Sequence, residues 1–280
     1  MKRIKSFEHS SICYLVATPI GNLNDLSKRA LDILSNVDFI ACEDTRNTSS
    51  LLSHFGINKP LISYHEHNEQ MCSEKLISLL KDNKSIAIVS DAGYPGISDP
   101  GAILVNHCIE NDIPVSVIPG ANAFLPALIG SGLDTTHFYF NGFLPSKPSA
   151  RRKELEKLKD LECTLIFYES PHRIKESLLD MYEILSNRNA CIVREITKLH
   201  EEYIHGTLQE LSTIDESTLR GEMVIIIEKN NEFKIIDDQD LITLLNNEIN
   251  SGLSLKDASK KVSEKTGVKK NYLYQLGLKQ

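Results

Sequence analysis

The six cysteines, Cys13, Cys42, Cys72, Cys108, Cys163 and Cys191, form no C-x-x-C pair, and most lie inside apolar runs such as residues 11–17 and 190–193. They read as reduced core thiols. No apolar stretch approaches the roughly 20 residues needed to cross a bilayer, and the opening MKRIKSFEHSS lacks the apolar core of a signal peptide. These absences lead us to expect a cytoplasmic protein with no membrane partner. Excess positive charge is missing as well: 31 Lys and Arg stand against 38 Asp and Glu, a net charge of −7. A nucleic-acid partner would have to be met by local basic patches, since phosphate neutralisation depends on where the cations sit.

What is present is an alternation of short β-branched runs and longer helical patterns. Strands are expected at Ile12–Ala17, Phe39–Cys42, Leu61–Tyr64, Ser85–Ser90 and Val115–Ile118, with helices near 25–35, 45–55, 69–82, 100–111 and 121–131 between and after them. Apolar strands joined by helices imply a mainly parallel sheet, whose ligands gather at the carboxyl ends of the strands. After the Gly/Pro-bearing stretch 141–148 the pattern changes. A basic helix (149–161) leads to strand Thr164–Tyr168, helix Arg173–Leu185, strand Cys191–Glu195 and two further strands near 206–210 and 222–228, which suggests a mixed sheet. Three short lysine-bearing helices (241–249, 254–264, 269–276), broken at Gly252 and Gly267, resemble a helix-turn-helix unit. The expected organisation is a leader over 1–11, an α/β domain over 12–135 carrying cofactor loops, a second α/β domain over 136–232, and a helical extension over 237–280.

Three Gly-bearing turns follow strands of the first sheet. They are Ala17-Thr-Pro-Ile-Gly21, Ser90-Asp-Ala-Gly-Tyr-Pro-Gly-Ile-Ser-Asp-Pro-Gly101 and Ile118-Pro-Gly-Ala-Asn-Ala123. None matches the G-x-G-x-x-G dinucleotide fingerprint, which disfavours an ordinary Rossmann cofactor site. Gly21 would let backbone approach a ligand, Asp91 stands at a strand end ready to accept from ligand amino or hydroxyl groups, and Asp99 reads as a helix cap. The first turn alone is ordinary punctuation and the second alone already favours a ligand, and three converging on one crevice strengthen that reading. Two further strand ends carry Glu43-Asp-Thr-Arg46 and Ser63-Tyr-His-Glu-His-Asn68. The first also reads as a helix start with Thr45 as cap, and the second is not read as a metal site.

In order, TPIGNLxD, ACEDTRxTxxLLxHFGI, SYHEHNE, SDAGxPGISDPG, IPGxxA, FYESPHR and REITKxHEE resemble the 16S ribosomal RNA cytidine 2′-O-methyltransferases of the tetrapyrrole methylase superfamily. The likeness runs from about residue 12 to 230. It implies a two-domain tetrapyrrole-methylase-like α/β fold of the class III methyltransferases, a folded S-adenosyl-L-methionine in the cleft, and a homodimer. The implied reaction is ribose methylation of a decoding-centre cytidine in 16S rRNA of the small ribosomal subunit. By position, Pro19, Ile20, Gly21, Asp91, Ala92, Gly93, Asn122, Ala123 and Tyr168 would touch the cofactor. Tyr94 departs from the pattern, standing where many relatives have Thr, and would narrow the pocket mouth. Methyl transfer to a hydroxyl needs in-line alignment and a base. Glu43, Asp44, His65 and Glu66 are the base candidates, and Arg46 could orient a phosphate or stabilise negative charge. Arg151, Arg152, Lys153, Arg173, Arg194 and Lys198 would form a rim for RNA phosphates. A corrin or porphyrin methylase of the same fold, or a noncatalytic RNA-binding assembly factor, are the competing readings.

Overall fold

The structure is a computed structural model that describes Arg3, Lys5, residues 11–230 and residues 238–278. The expected leader therefore lies largely outside the described residues. The first five apolar runs form β1 (Cys13–Val16), β2 (Phe39–Cys42), β3 (Leu61–Ser63), β4 (Ile86–Val89) and β5 (Val115–Ile118). All pair in parallel, in the order β3-β2-β4-β1-β5. Parallel pairing requires crossovers, which are supplied by α1 (Lys28–Asn36), α2 (Thr45–His54), α3 (Glu69–Lys81) and α4 (Ala102–Glu110); α5 (Phe124–Gly130) follows β5. Successive strand side chains point to opposite faces. Ile86 and Ile88 join Leu76, Leu80 and Leu104 on one side, while Ala87 and Val89 join Leu34 and Leu52 on the other. With both faces covered, β4 is buried throughout. The chain leaves adjacent β1 and β4 toward different neighbours, and that divergence opens a crevice at their carboxyl ends.

The second sheet runs β6-β7-β10-β8-β9. It comprises β6 (Phe138–Phe143), β7 (Thr164–Glu169), β8 (Asn189–Arg194), β9 (Glu202–Thr207) and β10 (Met223–Ile227), with α6 (Pro148–Leu158), α7 (Ile174–Leu185) and the short α8 (Leu208–Leu211). Only β6 and β7 pair in parallel. One strand is new here and one expected strand is moved. The segment Phe138–Phe143, unassigned in the sequence, is a strand whose alternation is broken by a bulge between Phe140 and Gly142, with Gly142 at φ 72°. The strand expected near 206–210 lies earlier, because Thr207 and Glu210 form a capping box that starts α8 at Leu208.

The basic helix also reads differently in three dimensions. Arg151 is 2% exposed: its Nε donates to Asp180 at 2.6 Å and its Nη2 to Glu176 at 3.3 Å. A buried guanidinium committed to two α7 carboxylates cannot reach RNA, so Arg151 leaves the expected rim. Arg152 is half-exposed but bonded to Asp180 and Glu183, while Lys153 remains exposed.

A separate compact unit follows Asn230. Helices α9 (Asp238–Asn250), α10 (Leu255–Thr266) and α11 (Lys270–Leu278) pack Leu241, Leu245, Ala258, Val262, Leu273 and Leu276 into a small core. Ser254 caps α10 by accepting from the Asp257 N–H, and Gly267, at φ 71°, ends it. No described helix is long and apolar enough to cross a membrane.

Breaking a buried ion pair on one side strands the other charge. Arg151→Ala should therefore cost about 3 kcal/mol in a chemical-denaturation series. A variant of unchanged stability but weaker RNA binding would return Arg151 to the rim.

Candidate active site

The three Gly-bearing turns are tied to one another, the first two by backbone and the third by a side chain. Thr18 and Gly93 form an isolated antiparallel bridge, Thr18 N–H donating to the Gly93 carbonyl at 2.9 Å and Gly93 N–H returning at 3.0 Å. The Thr18 hydroxyl adds a bond to the Ser90 carbonyl, and the Ser90 hydroxyl donates to that of Gly93, each at 3.0 Å. Gly93 holds φ 80°, a conformation that favours glycine. The third turn joins through Tyr94, whose hydroxyl accepts from the Gly120 N–H at 2.8 Å. Tyr94 thus does more than narrow a mouth: it fastens the second turn to the third. A Cβ at Gly120 would lie 2.8 Å from that of Ala17, so only glycine lets the first and third turns approach this closely.

A cavity of about 360 Å³ opens beside the tied turns. Ile20, Asp91, Ala92, Gly93, Asn122 and Ala123 line it from the first sheet and Tyr168 from the second. Pro19 and Gly21 are not in its wall. They face a neighbouring cavity of about 350 Å³, which Asp91 also borders. Gly21 serves a different contact: the Lys198 stem crosses it so closely that a Cβ there would lie 2.5 Å from Lys198 Cγ. Tyr168 packs edge-on against Phe140 and Phe143, and burial pushes its hydroxyl up to about 12, so it stays a neutral donor.

The expected bases separate by environment. Asp44, not Thr45, caps α2, accepting from the Arg46 N–H at 2.8 Å. Its bonds to the Arg46 guanidinium, with Nη2 at 2.8 Å, hold its carboxyl down at about 2, which makes it a weak base. Glu43 behaves oppositely: burial first, then the Asp91 charge, raise its pKa. His65 has a buried Nδ1 with no hydrogen-bond partner, and its ring lies 6.0 Å from that of His67. Glu66 is exposed. The Asp91 carboxylate accepts from the Asp44 N–H at 3.3 Å and the Asn47 amide at 2.8 Å, linking the second turn to the start of α2.

Most expected rim cations are already partnered. Arg173 donates to the Leu144 carbonyl at 2.7 Å and to the buried Glu169 at 3.2 Å. Arg194 holds Glu202 at 2.6 Å, and Lys198 Nζ lies 2.9 Å from Glu195 and 3.1 Å from Glu222. Lys153 and Arg46, whose side chain is 89% exposed, remain turned to solvent.

The model of the tetrapyrrole (corrin/porphyrin) methylases matches residues 13–212, which include all three tied turns. The chain belongs to the tetrapyrrole methylases. A second model, described as the RsmI C-terminal HTH domain, matches residues 238–280. Among relatives of this methylase, the ribosomal RNA small subunit methyltransferase I of Halalkalibacterium halodurans is 47% identical, covering 94% of this chain and 93% of its own. The proteins of the same name from Bacillus subtilis and Haemophilus influenzae are each 45% identical, covering 98% and 96% of this chain and 97% of their own. Solved structures share the fold. Diphthine synthase aligns with TM-score 0.60 at 15% identity, over 80% of this chain and 92% of its own. A uroporphyrin-III-C-methyltransferase from Thermus thermophilus gives 0.52 at 19%, over 78% and 94%.

The methylase cavity has walls that the sequence did not disclose. Ile97, Ser98 and Asp99 come from the far half of the second turn, Phe143 from the bulged β6, and Ile196 and Gly221–Val224 from the second sheet. Asp99 was expected to cap α4, yet the N-cap is Gly101, whose N–H donates to Glu69 at 2.8 Å. Asp99 instead lies half-buried in the cavity wall. Burial, and then the charge of Glu43, push its carboxyl up to about 6. Only the spacing of a strand-end Asp91 and a second Asp eight residues on hinted at paired carboxylates.

This shift fixes a pH dependence. With its folded pKa raised to about 6 from an ordinary 3.8, Asp99 binds more protons folded than unfolded between those values. Its stabilising contribution is complete below pH 4 and lost as pH rises through 6. Asp99→Asn should gain stability relative to the parent across that window, read as denaturation midpoints from pH 4 to 7. A pH-independent difference would contradict the raised carboxyl.

Proposed function

We propose that this methylase transfers a methyl group from S-adenosyl-L-methionine to the ribose 2′-oxygen of a cytidine in 16S ribosomal RNA. The observation that carries the reading is the near-full-length likeness to proteins named ribosomal RNA small subunit methyltransferase I. A corrin or porphyrin acceptor is disfavoured by the same comparison. The model described as the RsmI C-terminal HTH domain also matches residues 238–280.

The cavity suits the cofactor on its own chemistry. About 360 Å³ falls within the usual range for small-molecule sites, and Ile20, Ala123, Ile196 and Val224 give apolar walls to an adenosine. Asp91 and Asp99 supply negative charge for an amino group and a sulfonium. When bound, S-adenosylmethionine supplies an electrophilic methyl group. The protein's part is to hold the ribose hydroxyl in line with it and to take the proton. Asp99, which stands in the cavity wall with a raised pKa, suits that second task, and Glu43, whose charge acts on it, is the other candidate. Arg46, fixed by Asp44, is placed to meet a backbone phosphate. Exposed Lys256, Lys260, Lys265 and Lys269 of the helical unit suit further phosphates. We place the protein in the cytoplasm as a homodimer. Supporting the dimer, β5 is an edge strand, and Val117 on it and Leu125 and Ile129 on α5 are exposed.

Small ribosomal subunits or naked 16S RNA, incubated with the protein and labelled S-adenosylmethionine, should gain label on one cytidine ribose. Label on a base, or none, would contradict the reading. Asp91→Ala should weaken cofactor binding by about 2 kcal/mol, roughly thirtyfold, by calorimetry. Arg46→Ala should leave that affinity unchanged and lower turnover on RNA.

A further inference from the structure

Two ligands must adjoin for methyl transfer, and the first cavity is sized for one. The second cavity, about 350 Å³, shares Asp91 with it, and the first turn lines both, Ile20 in one and Pro19 and Gly21 in the other. Its outer wall is one face of α2. Asn47, Ser50, Leu51 and His54 stand at i, i+3, i+4 and i+7, a single helical stripe, with the buried Thr48 at the base of the same wall, while Leu52 turns into the core. Leu23 and Pro19 provide an apolar floor.

The polar atoms on this stripe are uncommitted. Asn47 spends its amide N–H on Asp91, which leaves its carbonyl oxygen open, and Ser50 and His54 make no side-chain hydrogen bond among the described residues. The His54 ring stands edge-on to that of Phe55 at 4.9 Å. An acceptor oxygen beside two groups able to donate matches a cytosine edge, which offers one amino donor and two acceptors. Arg46 lies at the start of the same helix. Sequence-specific RNA recognition generally reads bases that are splayed out of the stack, and such a pocket would receive one.

We infer that this second cavity is the pocket for the extruded acceptor nucleoside, with Asn47, Ser50 and His54 reading its base and Asp91 at the border it shares with the cofactor cavity. The inference rests on the methyl-transfer reading above and names the substrate's seat within it.

The test compares the parent with Ser50→Trp, which fills the cavity, and His54→Ala, which removes one base contact. Both positions are exposed, so the α2 core is untouched. Steady-state kinetics on small subunits should show KM for RNA raised about tenfold or more in each variant. Calorimetry with S-adenosylmethionine should give parent-like affinity, and thermal melts should match the parent. Unchanged RNA kinetics in both variants, with the parent active, would overturn the pocket alone. Loss of cofactor affinity in parallel would assign the cavity to the cofactor and also overturn it. A parent inactive on RNA would overturn both the pocket and the function it rests on.

Discussion

The two-bond bridge between Thr18 and Gly93 is the constraint around which the site is organised. β1 and β4 are adjacent, but their chains depart in different directions, so the turns after them would otherwise splay apart. Pairing the turns satisfies backbone groups that a bare crevice would leave to water. It also presents Ile20, Asp91, Ala92 and Gly93 along one wall. The Tyr94 hydroxyl extends the tie to Gly120, and the small Ala17 and Gly120 allow the turns to meet. Such a site is built before its ligand arrives, which reduces the ordering cost of binding.

Charge is distributed with equal economy. The net charge is −7, and many cations that the sequence offers to RNA are spent inside the fold. Arg151 and Arg152 brace α6 against α7, Arg173 anchors the β7 end to the Leu144 carbonyl, and Lys198 straps the second sheet across Gly21. The carboxylates near the crevice are left with few cations, and their mutual repulsion adds to burial in raising Glu43 and Asp99. Asp44 escapes because its own Arg46 neutralises it.

Much of this was legible in the sequence, and the exceptions have physical reasons. The five strands of the first sheet were readable because parallel, doubly covered strands are short β-branched runs bounded by turns. β6 was not, because its bulge at Gly142 interrupts the alternation that marks a strand. The three turns were visible as Gly/Pro clusters, yet the contact Gly21 makes was not, since its close neighbour Lys198 is distant in sequence. Arg151 looked like a solvated cation until its helix was placed against Asp180. Asp99 was hidden by the resemblance of Ser-Asp-Pro-Gly to a helix start. Residue type and local spacing expose turns and periodicities, whereas ion pairs and burial across 29 residues, as between Arg151 and Asp180, need the fold.

The central claim is that the crevice is preassembled by the ties among its turns. Hydrogen exchange of the Thr18, Gly93 and Gly120 amides in the protein free of cofactor measures this directly. Preassembly predicts that all three are protected about a hundredfold or more before S-adenosylmethionine is added, with little further slowing afterwards. Exchange at the rate of an open loop in the free protein, with protection appearing only on binding, would contradict it.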